Sequence, residues 1–451
     1  MKGSIGPDRA LEIVEKALSV DGADEVEATL VANRGGLTRF ADSIIHQHTE
    51  RADVQVRVRV VVGKRSAGVW TNRLDEAAII EAGKRALEMA RLSPPDELFP
   101  GLPEDFGSSL LDPQQEAERF DEATASATPA WRAARVAEVV KAARDRPAAG
   151  FFSTSTDEMA LANTNGVRRH SSFTLAAFTC MIRSGGGSAH HECSSRRAED
   201  IPVIPLAEDL AAWADRADGA GDVEPGTYPV VLLPLAVGEM VEYLSYTGFG
   251  AKDVLNGESF LVDRMGSPCA SPLVTIVDDV SHPAMLGTPF DWEGVWRQRV
   301  ALIDGGVARQ PVYDTRTAAE AGTTTTGHAS GSQEYGPFPA NLLVVPGDGS
   351  TEDLLAGVDR GLLVRRFWYV NVVNQRETVL TGMTRDGVFL IEDGAVTRPV
   401  HNLRFTQSVL DALSECSGVG ADPVCLSSGW GTVVVPALRL DRFSFTSATS
   451  H

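Results

Sequence analysis

Residues 52–62 read ADVQVRVRVVV, and this strict alternation constrains the fold more than any other feature of the chain. Successive side chains of a strand point to opposite faces, so the valines fall on one side and Gln55, Arg57 and Arg59 on the other. The pattern predicts a half-exposed strand that needs an apolar layer on its valine face. Its surroundings supply the parts. Residues 26–31, 37–40 and 44–48 carry further strand signals, and 64–71 returns beyond a turn at Gly63. Helical spacing appears at 8–20 and at 75–91, the second ended by Pro94-Pro95. A helix, a β-meander and another helix pack naturally as two layers.

Residues 96–128 are rich in Pro, Asp, Glu and Ala and read as a connector. A helix is predicted over 129–144, strands from Gly150 to Glu192, and a short helix over 205–216. Within the strands Asn163-Thr164-Asn165-Gly166 is a tight-turn signal, because an Asn-Gly pair tolerates positive φ. The segment ADGAGDVEPG at 217–226 is the most linker-like in the chain. Beyond it a strand over 228–233, helices over 235–246 and about 351–359, and many Gly- and Thr-rich β segments follow. The expected fold class is α+β. An N-terminal two-layer helix and β-meander domain (1–220, connector about 96–128) precedes a mainly antiparallel β-rich C-terminal domain (221–451).

The charge balance narrows the function. The 61 acidic residues outnumber the 41 basic ones, giving a net charge of -20. Nucleic-acid binders draw most of their affinity from basic faces on phosphate, so no nucleic-acid role is expected. Five cysteines, sparse and odd in number, suit a reducing compartment better than a disulfide framework. Asp8 and Arg9 break any leader-like apolar run, and the longest apolar stretch, 228–237, is too short to span a membrane. A cytoplasmic protein is the expectation.

Few local motifs carry chemistry. Gly185-Gly186-Gly187 lacks the Lys and Ser/Thr of a phosphate loop. No G-x-S-x-G elbow is present. His190-His191-Glu192-Cys193 gathers potential metal ligands, yet neighbours on a strand face opposite ways, so at most two can share one ion. Glu239 and Glu242 lie three apart, on one face of the predicted helix. Such a pair can do acid/base work if its environment splits the two pKa values, though it is more often a solvated face. In GTTTTGHASG, residues 322–331, His328 is either an acid/base group or a structural side chain bonding loop carbonyls.

The second half carries an ordered set of segments. They are His282-Pro283, GTPFD at 287–291, Glu293-Gly294, TGHA at 326–329, GLLV at 361–364, Thr381-Gly382, GVFLIEDG at 387–394 and Pro399-Val400. In order and spacing this set resembles the TldD/PmbA family, and the N-terminal helix-meander-helix and NTNG turn fit it too. The resemblance implies two kinds of subunit. TldD-type chains carry H-E-x-x-x-H on a helix soon after the C-terminal domain begins, where histidines bind zinc and the glutamate serves as base. PmbA-type (TldE) chains lack that motif and pair with TldD. Here the corresponding helix reads LAVGEMVEYLSY, and no histidine lies between His191 and His282.

The resemblance therefore implies a non-catalytic partner subunit with no catalytic residue, no metal ligand and no cofactor of its own. Zinc is expected in a TldD-like partner, and the substrates are expected to be unfolded peptides, leader peptides or peptide-like metabolites. Glu239, Glu242 and His328 are the candidate substrate-contacting residues. Two rival readings stand beside it. One is a metal-dependent hydrolase in its own right, built on Glu239, Glu242, His328 or the His190–Cys193 cluster. The other is a non-proteolytic binding or scaffolding homodimer.

Overall fold

The computed structural model describes residues 5–427 and 431–449. Its first half begins with α1 (Pro7–Lys16), β1 (Glu25–Ala41), β2 (Ile44–Val62), β3 (Arg65–Thr71) and α2 (Glu76–Leu92). Asp75 caps α2 by accepting from the Ala78 N–H at 3.1 Å. Two short helices, α3 (Pro113–Ala117) and α4 (Glu122–Ala125), punctuate the connector, each started by an aspartate cap, Asp112 or Asp121. Then come α5 (Pro129–Ala143), β4 (Ala148–Asn163), β5 (Arg168–Ser184), β6 (Gly187–Ser195) and α6 (Val203–Arg216). The strands form one antiparallel sheet in the order β3-β2-β1-β4-β5-β6.

The alternation read from the sequence sets the two faces of this sheet. Val56, Val58 and Val60 join Val26, Ala28 and Leu30 under α1 and α2. Phe152, Phe178 and Ile182 join a second cluster under α5 and α6. The opposite face is polar but is not the solvent face the pattern predicted. Arg59 is only 8% exposed, and Glu27 beside it is buried. The second half of the chain lies against this face: Leu161 and Val167 pack on Phe290, and Arg169 Nε donates to the Gly294 carbonyl at 3.0 Å. An alternating pattern reports two faces, but it cannot say what covers the polar one.

Of two local expectations, one changes and one holds. The segments 26–31 and 37–40 are one continuous strand, because Gly35 and Gly36 remain in the ladder. A Cβ on Gly36 would lie 2.1 Å from Arg132 Nη2, so the glycine makes room for a buried guanidinium rather than a turn. The Asn163–Gly166 turn forms as predicted, with Gly166 at φ 96° and Asn163 Oδ1 accepting from Asn165 N at 2.9 Å.

The second half opens with β7 (Gly226–Leu232), α7 (Pro234–Gly248), α8 (Ala251–Leu255), β8 (Ile276–Asp278), β9 (Val300–Asp304) and β10 (Val307–Ala308). It continues with α9 (Thr315–Ala321), β11 (Asn341–Val344), α10 (Thr351–Ala356), β12 (Arg360–Asn374), β13 (Val379–Glu392) and β14 (Ala395–Val400). Last come β15 (Leu403–Ser408), α11 (Val409–Ser414), β16 (Cys416–Val419), β17 (Val424–Ser427), β18 (Thr432–Val435) and β19 (Leu438–Ala448). One sheet runs β10-β9-β8-β11-β18-β17. In the other, β12-β7-β19-β15-β13 closes on itself, because β13 also pairs with β12. Pairing is mainly antiparallel, with β11–β18 and β7–β12 parallel. Phe367, Phe405 and Phe443 fill the ring, with centroids 4.5 Å and 5.5 Å from Phe367. Truncating one such buried ring costs about 3–5 kcal/mol.

Pro436 marks a change of sheet. The strand before it, β18, lies between β11 and β17, and the strand after it, β19, lies between β7 and β15. Among the described residues no helix is long and apolar enough to cross a membrane.

Candidate functional site

Helix α7 follows β7 directly, with Leu233 and Pro234 at its start. Its apolar residues Val237, Met240, Val241 and Leu244 are buried in the core shared by the two C-terminal sheets. That packing turns Glu239 and Glu242 the other way, three residues apart and half-buried. What they meet comes partly from the first half of the chain. Burial, then Glu242 and Glu192, push the Glu239 carboxyl up to about 7, against the pull of Arg366. Glu192 belongs to β6, where its Oε2 lies 3.8 Å from His190 Nε2. From the β12–β13 hairpin, Arg366 Nε reaches Asp386 Oδ2 at 2.7 Å, and Ser188 Oγ donates to Asp386 Oδ1 at 2.6 Å.

Two clusters that are separate in sequence thus share one electrostatic site. The four-residue run 190–193 splits across β6 as strand geometry requires. His190 and Glu192 pair on one side, while Cys193 packs with the core under α6. His191 is driven down to about 4 by burial, then by Arg365 and His190. Zinc asks for three or four ligands with imidazole or thiolate among them. Among the described residues no group of three His, Cys, Asp or Glu is placed to hold a metal. The residues here do not fit zinc. What they offer is a carboxyl that titrates near neutrality beside a guanidinium. Such a group can donate a hydrogen bond to a carbonyl or accept one from an amide.

His328 lies elsewhere. Its Nε2 is 3.1 Å from Asp278 Oδ1, its Nδ1 is 2.8 Å from the Thr326 carbonyl, and its side chain has no exposed surface. Asp278 Oδ2 also accepts from Asn341 N at 2.8 Å, so the imidazole ties the 322–331 loop to β8 and β11.

The segment 282–294 is held by buried arginines. Arg196 Nε donates to the Met285 carbonyl at 3.1 Å, and Arg297 Nε to that of Thr288 at 3.1 Å. Arg119 donates to the Gly287 carbonyl. Phe173 is stacked by Arg119 and Arg196, at 5.7 Å and 5.5 Å from its centroid.

Sequence reasoning used one group only as part of the family resemblance and gave it no role in a site. Asp291 is buried and accepts from the Glu293, Val295 and Ala329 amides at 2.9, 3.0 and 2.8 Å. Glu293 accepts from Thr315 N at 3.0 Å, and its carboxyl is pushed up to about 8 by burial, then by Asp291 and Asp314. Facing them across the sheet are Glu27, Arg57 and Arg59. The signals in the sequence were the Asp-Trp-Glu-Gly run and its place among the family segments, and nothing local reveals that its carboxylates meet the polar face of a distant sheet.

Comparison with known proteins places this geometry. The family model described as PmbA/TldA metallopeptidase C-terminal domain matches residues 225–447, and that for PmbA/TldA metallopeptidase domain 1 matches 26–90. The chain belongs to the PmbA/TldD family. A PmbA/TldD relative from Haemophilus influenzae, named metalloprotease PmbA homolog, is 24% identical over 426 residues, covering 91% of this chain and 90% of that one. A metalloprotease from Methanothermobacter thermautotrophicus is 26% identical over 242 residues, 53% of this chain. The chain spans about half the length of several curated relatives it matches, 52% of the Methanothermobacter protein among them. The crystal structure of TldE from Thermococcus kodakarensis superposes with a TM-score of 0.86 at 21% identity, covering 98% of this chain and 99% of that one. Within the PmbA/TldD C-terminal domain, α7 is the helix that follows the opening strand.

Proposed function

We propose that this chain is a PmbA-type subunit that carries no zinc of its own and completes a two-component metallopeptidase with a zinc-bearing TldD-like chain. One observation carries the reading. The helix after β7, where the family resemblance sets H-E-x-x-x-H, presents Glu239 and Glu242 and no imidazole. The nearby His190 comes from β6 and is already opposed by Glu192. In this reading the chain shapes the cavity rather than supplying its chemistry. Glu239, its carboxyl raised to about 7, would hydrogen-bond the backbone of an unfolded peptide, leader peptide or peptide-like metabolite in either protonation state. Glu242 would tune it by repulsion, and His328, away from this pair, would hold the 322–331 loop against β8 and β11. The sparse, odd-numbered cysteines of the sequence support a cytoplasmic setting.

The test is reconstitution. The purified chain should carry no stoichiometric zinc by elemental analysis and should not cleave unstructured peptides. Mixed with a TldD-like chain, it should form a heterodimer by light scattering and support chelator-sensitive cleavage. Tightly held zinc and cleavage by the chain alone would overturn the reading in favour of a self-sufficient hydrolase. A stable homodimer that ignores TldD-like chains would overturn it in favour of a scaffold.

A further inference from the structure

Two clefts meet at Arg57, on the polar face of the N-terminal sheet. One, of about 540 Å³, also takes in Arg59 and Glu293. The other, of about 600 Å³, is rich in aromatic side chains, among them Trp70, Phe173, Tyr335 and Phe338. Both share Trp292 and the backbone of 329–332 with Arg57. Volumes of this size suit small ligands or the end of a peptide.

Arg57 is held in place without being neutralised. Its Nη1 donates to the Gly331 carbonyl at 3.4 Å, a marginal hydrogen bond. Among the described residues no carboxylate oxygen lies within ion-pair distance of it. Gly68 on β3 gives it space: a Cβ there would lie 2.8 Å from Nε. The carboxyls that act on its charge are Glu27 and Glu293, and burial raises both, Glu293 to about 8. Beside the guanidinium Trp70 and Trp292 stand edge to face, centroids 6.5 Å apart, and Trp70 keeps 45% of its surface exposed. A half-buried cation with spare donors next to the exposed indole of Trp70 and the half-buried one of Trp292 matches a carboxylate that carries an aromatic or bulky apolar group.

We infer that Arg57, Trp70 and Trp292 form a binding site for a carboxylate attached to an aromatic side chain, either a peptide C-terminus or a small aromatic acid. The site is separate from the Glu239 face. It is tested on the full chain alone, so its outcome does not depend on the partner-subunit reading.

The experiment is titration calorimetry, supported by tryptophan fluorescence, with acetyl-Ala-Ala-Phe as the free acid, the same peptide as the C-terminal amide, and acetyl-Phe. The free acid should bind at least about tenfold more tightly than the amide, the loss expected for one charge-assisted hydrogen-bond pair. Arg57→Gln should abolish that preference with an unchanged melting temperature. Gly68→Ala, which crowds Nε from the opposite strand, should weaken the acid while sparing the amide, and guards against a folding defect in the first variant. Tight binding of acetyl-Phe identifies a small acid as the source, and tight binding of the tripeptide acid alone identifies a peptide end; either supports the site. Equal binding of acid and amide, undiminished binding to Arg57→Gln, or no binding at millimolar ligand overturns it.

Discussion

Nε2 of His328 lies 3.1 Å from Oδ1 of Asp278, and neither side chain has exposed surface. This pair joins the most conspicuous histidine of the sequence to a strand fifty residues upstream, and it gives that histidine a mechanical task. Burial alone would push the Asp278 carboxyl up, but His328, Arg297 and the Asn341 amide outweigh it and hold the group below its ordinary value. His328→Ala leaves that charge buried without its partner. We expect a loss of about 3–5 kcal/mol in denaturant unfolding at pH 7, the range for breaking one side of a buried pair. For a depressed folded pKa the stabilisation is present above the unfolded carboxylate value and is lost as pH falls through the folded one. The gap between variant and parent should therefore shrink in acid. A gap under 1 kcal/mol at pH 7 would show that the pair is not holding the loop.

Glu293 gives the opposite sign. Its carboxyl rises from 4.5 to about 8 in the folded chain, driven by burial and by Asp291 and Asp314. The stabilisation from its proton is complete below pH 4.5 and is lost as pH climbs through about 8. Glu293→Gln should raise the melting temperature at pH 8.5 and change it little at pH 5. Equal shifts at both pH values would sink the assignment.

The Glu239 carboxyl, raised to about 7, should be visible directly. Carbon-13 NMR of chain labelled at glutamate carboxyls should show a group titrating near 7, distinct from Glu293 near 8 and absent in Glu239→Gln. Glu242→Gln removes the like charge that ranks next after burial, so the same resonance should titrate at lower pH. An unmoved midpoint in that variant would mean that the two carboxylates do not interact.

Ending the chain at Gly431 should prevent folding of the C-terminal half. It deletes β18 from between β11 and β17, and β19 from between β7 and β15, so both sheets lose an internal strand. It also removes Phe443 and Phe445 from the aromatic cluster. Circular dichroism and light scattering should report an aggregated or partly unfolded product. A soluble truncated chain with the parent's mass and melting temperature would contradict the role given to these strands.

Local chemistry was legible in the sequence because it is set by neighbours a few residues away. The alternation of 52–62 determined which residues of β2 face the helices, the Asn-Gly pair placed a turn, helical spacing placed α2 and α5, and the order of short C-terminal segments pointed to the family. The sequence also determined that the helix after β7 has two glutamates and no imidazole. What it could not reach depends on pairs hundreds of residues apart. Pro436 is, in the sequence, only a proline between two apolar segments, yet it links two different sheets, because sheet membership is decided by partners and not by the strand itself. The polar side of β2 read as solvent-facing, yet Arg57 and Arg59 line clefts against the 329–332 loop. Glu192 came to act on Glu239 only when the fold brought β6 within electrostatic reach of α7. Burial then set their charges: an aspartate held ionised by His328 and a glutamate held neutral beside Asp291 have the same functional group, and only the assembled fold gives them different surroundings.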